Sequence, residues 1–177
     1  MIYVCFGTNQ KFHSRLIRLV TKSKWSHVWI EYPSKTWGGW WGADSSPHGV
    51  TKRPAEIIHK EYPKRICYKC EASLEGGFRW ARKHINSKYD YAAFWNLFLY
   101  LLLKFTQWKF LWKIVARNSS KFTCSEFATG VLQASNITFS ERLDAELTTP
   151  AMLQYFISTS DKFCYSKHLE RLGDNKG

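Results

Sequence analysis

The spacing of apolar and polar residues changes period several times along the chain, and each change predicts an element. Residues 2–7, "IYVCFG", form a near-continuous apolar run that reads as a short buried strand. In residues 13–24, "HSRLIRLVTKSK", Leu16, Ile17 and Val20 fall at helical spacing. Residues 26–32, "SHVWIEY", then alternate. A strand here places His27, Trp29 and Glu31 on one side and Val28, Ile30 and Tyr32 on the other. Glycines and turn formers surround a second such strand, Trp40 to Asp44, and "RICYKCEA" (65–72) reads as a third. "SLEGGFRWARKHIN" (73–86) predicts a helix despite its two glycines, and "SKYDY" a loop. Residues 92–116 are the longest helical candidate, aromatic on several sides and carrying Lys104, Lys109 and Lys113. In "TTPAMLQYFI" a further helix starts near Pro150, since proline suits the first helical position. No repeat or low-complexity tract interrupts this order. Helices around an antiparallel sheet define an α+β class in one domain, 1–177, with 168–177 as a flexible tail.

The stretch "KFTCSEFATGVLQAS" (121–135) has the grammar of a helix start. Thr123 and Glu126 form a T-x-x-E capping box, whose side chains satisfy orphan backbone N–H groups. Cys124, Phe127, Ala128, Val131 and Leu132 recur at helical spacing and share one face. Cys124 therefore sits in the first turn, where unpaired N–H groups and the helix dipole stabilise a thiolate. Two readings stand side by side: a small buried packing residue, or a nucleophile.

Composition narrows the setting. The chain has 177 residues, enough for one core, and is rich in aromatics, with nine Trp, nine Tyr and twelve Phe. Twenty-six basic against fourteen acidic residues give a net charge of +12, which attracts polyanions: nucleic acid, an anionic membrane or an acidic cell-wall polymer. Five cysteines, at 5, 67, 70, 124 and 164, make an odd set without a regular framework, which argues against a disulfide scaffold and for a reducing compartment. The opening "MIYVCFGTNQ" lacks the pattern of a signal peptide, so a cytoplasmic location is expected, with peripheral membrane association left open. The apolar run 92–103 has twelve residues, short of the roughly 20 that span a bilayer.

A thiol nucleophile needs a base within hydrogen-bond reach and a group that orients the base. Of six histidines, His27 stands out because a strand holds it rigidly between apolar neighbours. His13, His59, His84 and His168 lie in basic polar stretches and read as solvated. A structural role for His27 remains the competing account.

At this point the residues carry a resemblance. "SRLIRLVTKSKWSHVWIEY", "WGADSSPHGV", "KYDY", "FTCSEF" and "LTTPAMLQYF" occur in the order seen in the circularly permuted, YiiX-like branch of the NlpC-like papain-fold thiol hydrolases. The match spans roughly residues 12 to 156. The resemblance implies a papain-like fold whose central antiparallel sheet packs against the helix bearing the cysteine. It implies Cys124 as nucleophile and His27 as general base. Relatives often carry a glutamate just before the G-V pair; here Asp44 occupies about that place, with His48 as competitor, so the third member departs from the pattern. Tyr89 or Tyr91 is expected to line the site or to pack.

The chemistry implied is acyl transfer through a thioester, without metal or organic cofactor. Cell-wall peptide ranks first as substrate, giving an amidase or endopeptidase, and acyl lipid second, giving a hydrolase or acyltransferase. From a different class, a non-catalytic basic module binding nucleic acid or anionic membrane remains the alternative, though nucleic acid is the less expected partner. Oligomeric state is not legible. "CYKC" (67–70) has zinc half-site spacing but no second pair nearby, and packing explains it better. Glu126 is accounted for by capping, and Glu31 reads as a rim carboxylate. The Trp25, Trp29, Trp37, Trp40 and Trp41 cluster reads as packing before substrate groove. Residues 92–116 read as a core or lid segment, or as a helix in a membrane interface.

Overall fold

The computed structural model describes residues 1–92 and 121–166. Apart from residue 92, the segment 92–116 expected as lid or membrane helix lies outside the described residues, as does the tail 168–177 with His168. The strands are β1 (Ile2–Thr8), β2 (His27–Pro33), β3 (Trp40–Ser46), β4 (Gly49–Pro54), β5 (Lys64–Cys70), β6 (Lys88–Tyr89), β7 (Lys121–Phe122) and β8 (Phe163–Ser166). The helices are α1 (Phe12–Thr21), α2 (Ala55–Glu61), α3 (Glu75–His84), α4 (Cys124–Gln133) and α5 (Pro150–Thr159).

Six strands form one antiparallel sheet in the order β4-β3-β2-β1-β5-β8, while β6 and β7 pair in parallel beside it. The class is α+β, as the alternating patterns predict. β2 shows why: Val28 and Ile30 join the larger core under α4, and Trp29 joins a smaller core on the opposite face. On that face Trp29, Ile58 and Tyr62 pack together, which brings α2 and the residue after it against the sheet. Phe127, Ala128, Val131 and Leu132 of α4 are all buried against β2 and β3. Removing such side chains from water is the main stabilising term, about 1.5–3 kcal/mol for each large one.

Three elements have weaker sequence signals. β4 carries Thr51, Lys52 and Arg53, α2 is short, and β8 is an edge strand. Cys5 and Cys67 correct the expectation of reduced thiols. They stand directly opposite in the β1–β5 register, with Cα atoms 4.1 Å apart, and form a disulfide. Cys70, three residues on, faces the larger core instead, so "CYKC" is divided between two faces.

The glycines of α3 have a packing reason. A Cβ on Gly77 would overlap the Val131 carbonyl oxygen of α4, so the two helix backbones meet where side chains are absent. Gly77→Ala should gain helix propensity, about 1 kcal/mol, and lose more through forced separation, about 1–3 kcal/mol. The expected outcome is a lower urea midpoint with an unchanged slope.

Candidate active site

Cys124 opens α4 immediately after its N-cap, Thr123. The capping box is complete: Glu126 N–H donates to Thr123 Oγ1 at 3.2 Å, and Thr123 N–H donates to Glu126 Oε2 at 3.1 Å. One further contact fixes this corner. β7 ends at Phe122, whose carbonyl accepts the Ser45 hydroxyl at 2.6 Å, and Ser45 is the neighbour of Asp44 in β3. The strand before the cysteine is thereby tied to the strand bearing the acid.

His27 and Asp44 meet. His27 Nε2–H donates to Asp44 Oδ2 at 2.9 Å, and Asp44 is 0 % exposed. Asp44 is further held by β4. Thr51 stands opposite it in the hairpin register and donates to Oδ1 at 3.1 Å, while Arg53, two residues on and on the same face, donates to Oδ2 at 2.9 Å. Arg53 reaches on to Glu61 Oε2 at 3.0 Å. His48, the competitor for this place, is exposed in the β3–β4 turn.

The ring of His27 is clamped as well as bonded. Tyr62 stacks on it at 4.5 Å with planes 11° apart, and Trp29 lies beyond at 6.0 Å. Gly7 pairs with His27 across β1 and β2, and a side chain there would meet Tyr62 Cβ at 2.7 Å. The absence of a side chain at Gly7 therefore admits the clamp. With Nε2 committed to Asp44, Nδ1 remains for the thiol.

The electrostatics follow from this wiring. Burial works against a charged imidazole, but hydrogen bonds to Asp44 and Cys124, with their negative charge, outweigh it and raise the His27 pKa to about 9. Burial likewise opposes the Asp44 carboxylate, yet His27 and Arg53 hold its pKa below the ordinary value. Glu126 differs: burial, opposed by the Thr123 N–H and reinforced by Asp90, Glu146 and Asp144, raises its pKa to about 7.

A narrow cleft of about 30 Å³, room for roughly one water, opens beside His27 between Ser26, Ser46, Tyr62 and Tyr89, with His13 and Ile17 of α1 on its wall. Tyr89 thus lines the cleft, whereas Tyr91 is exposed and donates to the Pro47 carbonyl. A roomier hollow of about 170 Å³ between Thr138, Arg142 and Asp161 has no cysteine or histidine on its wall. Of the two, the narrow cleft is the one with histidines, His13 and His27, on its wall.

Several sequence expectations need correction. Glu31 is fully buried rather than at a rim, and its Oε2 accepts from Trp29 Nε1 at 3.0 Å and His59 Nε2 at 2.9 Å. His59 is accordingly packed and paired, not solvated. His84 packs against Trp80, whose carbonyl its Nδ1 engages at 2.9 Å. His13 is exposed, on the cleft wall. Of the tryptophans, Trp29 is core and Trp37 is exposed. Sequence reading missed Thr51, Arg53 and Tyr62. The hairpin turn at Pro47–His48 is the signal that would have placed Thr51 opposite Asp44; Tyr62 has no such signal.

No family model matches the sequence, and no curated protein matches it. Among solved structures, the fold is similar to that of the metalloprotein YiiX from Escherichia coli O157:H7, with a TM-score of 0.60 and 12 % identity. The similarity covers 93 % of this chain and 94 % of that one, so the whole architecture is shared.

Two outcomes test the electrostatics. Asp44→Asn should lower the His27 titration from about 9, because burial and the Arg53 charge then act without the carboxylate; ring proton shifts against pH read this out. Glu126 has a folded pKa above its unfolded value of 4.5, so its protonated form favours folding. Its contribution is complete below 4.5 and is lost as pH rises through 7. Thermal melts of Glu126→Gln should flatten this segment of the profile.

Proposed function

We propose that the chain is a thiol hydrolase of circularly permuted papain-like architecture, acting on an amide or ester. Cys124 is the nucleophile, His27 the acid and base, and Asp44 the group that orients the imidazole. The observation that carries this reading is the arrangement of a buried His27–Asp44 hydrogen bond, 2.9 Å long, beside a cysteine at a helix start. The overall likeness to YiiX supports the fold but adds no chemistry at 12 % identity.

The steps follow from the geometry. The Cys124 thiolate attacks the carbonyl carbon, and the oxyanion gathers at the first turn of α4, where the Cys124 N–H and the helix dipole favour negative charge. The imidazolium then passes a proton to the departing amine or alcohol, leaving a thioester on Cys124. Water, deprotonated by the now neutral His27, attacks the thioester and releases the acid and the thiolate. His27 ends the cycle protonated again, so atoms and protons balance. Asp44 stays ionised throughout and fixes which ring nitrogen faces the sulfur.

YiiX is a metalloprotein, but this site does not fit one. Asp44 already accepts from His27, Thr51 and Arg53, and the Arg53 guanidinium occupies the place a cation would take. Among the described residues no group of three or more His, Cys, Asp or Glu stands together as a ligand set. No step is routed through a metal. A cell-wall peptide is the leading substrate, and the cleft beside His27, with room for roughly one water, would take the reacting group while the rest of the chain lies outside it. Among the described residues no helix is long and apolar enough to cross a membrane.

The test is covalent trapping. A p-nitrophenyl acyl ester should release a burst of nitrophenol and leave an acyl mass on the Cys124 peptide. Cys124→Ala should abolish both. Iodoacetamide labelling of the Cys124 peptide at pH 6 should slow about tenfold in His27→Ala, because the imidazolium no longer supports the thiolate. Equal labelling in both proteins, with no acyl adduct, would end the catalytic reading.

A further inference from the structure

We infer that the outer face of α1, the helix whose other face lines the His27 cleft, is a docking surface for an anionic lipid bilayer. The inference goes beyond the hydrolase reading and does not depend on it.

The surface is built by helical spacing. Phe12, Arg15, Leu19 and Lys22 recur at intervals of three, four and three residues and so form one stripe. All four are exposed, Phe12 by 80 % and Leu19 by 76 %. Neither of these two large apolar side chains, seven residues apart on a solvent-facing stripe, belongs to a core among the described residues. Their neighbours are uniformly basic: residues 11–24 contain Lys11, Arg15, Arg18, Lys22 and Lys24 and no acidic side chain. None of these five forms an ion pair with another described residue; the pairs lie at His27, Arg53, His59, Lys69 and Lys162.

That combination selects the partner. Basic residues alone would serve any polyanion, but exposed Phe12 and Leu19 gain nothing from a phosphate backbone. At a bilayer interface they enter the acyl boundary while Arg15 and Lys22 meet anionic headgroups. The position is informative too. The same helix presents His13 and Ile17 to the cleft wall on the side away from the stripe, so a bilayer against its outer face lies about one helix diameter, roughly 10 Å, from the cleft wall. Ser14 anchors the inner face through hydroxyl contacts to Ser26 and Thr8, which hold α1 against the strand end that carries His27.

The test is cosedimentation of the full chain with vesicles of phosphatidylcholine, with and without about one-third phosphatidylserine. The expected result is binding only to the anionic vesicles, weakened by added salt. The paired variants Phe12→Ser/Leu19→Ser and Arg15→Gln/Lys22→Gln should each weaken it about tenfold. All four side chains face solvent, so both variants retain the fold, checked by unchanged thermal melts. Absence of binding to anionic vesicles overturns the proposal. So does undiminished binding by Phe12→Ser/Leu19→Ser, which would make the stripe a plain cationic patch. Tighter binding to duplex DNA than to the vesicles, equal in both proteins, would assign the surface to nucleic acid instead.

Discussion

A carboxylate with no exposure to water is tolerated only where donors replace its hydration, and Asp44 imposes that condition on the site. Three elements must be in register to meet it. β2 brings His27, β4 brings Thr51 and Arg53, and the end of α2 brings Glu61 to hold the far side of the guanidinium. Leaving such a charge unpaired costs about 3–5 kcal/mol, a large part of a domain's stability. The geometry beside Cys124 is therefore coupled to the fold itself. Arg53 also limits the acid's effect. It shares Oδ2 with His27, so Asp44 supports the imidazolium without its full charge being available to the ring.

The thiol is placed by a different device. Besides the contact of Cys124 with His27, the start of α4 is tied to the Asp44 network by the Ser45 hydroxyl on the Phe122 carbonyl, one residue along from the acid and two before the cysteine. A helix start set this way has little freedom to slide, because the Thr123–Glu126 box fixes where the helix begins. Partial burial of Glu126 raises its pKa at this corner, and the box beside it is shielded in part from water.

What the sequence made legible were features decided by neighbours in the chain. The alternation from His27 to Tyr32 assigned both faces of β2, and T-x-x-E placed the start of α4 to the residue. Asp44 was reachable through the resemblance, by its distance from the Gly49–Val50 pair. Features decided by register between distant strands were not legible. Cys5 and Cys67 are 62 residues apart, and their pairing depends on how β1 lies against β5. Glu31 and His59 each look like solvated polar residues until α2 folds over the sheet. Tyr62 follows α2 and acquires its role only because Gly7, far away in sequence, leaves room for its ring.

The chain holds two buried carboxylate–histidine pairs of nearly identical geometry, His27–Asp44 and His59–Glu31, each at 2.9 Å. Chemistry alone does not distinguish them; surroundings do. Glu31 lies in the smaller core, where its second donor is Trp29 Nε1 and no cysteine is free, since Cys5 and Cys67 are joined. Its consequence is mechanical. By orienting the Trp29 indole it sets the plane against which Tyr62 stacks at 5.8 Å, and Tyr62 in turn clamps His27. Asp44 has the same partner type, but that partner, His27, sits where β2 begins, on the wall of a cleft and in contact with the free thiol of Cys124. One pair thus stiffens the support of the other. Of the two pairs, it is His27–Asp44 whose imidazole lines the cleft.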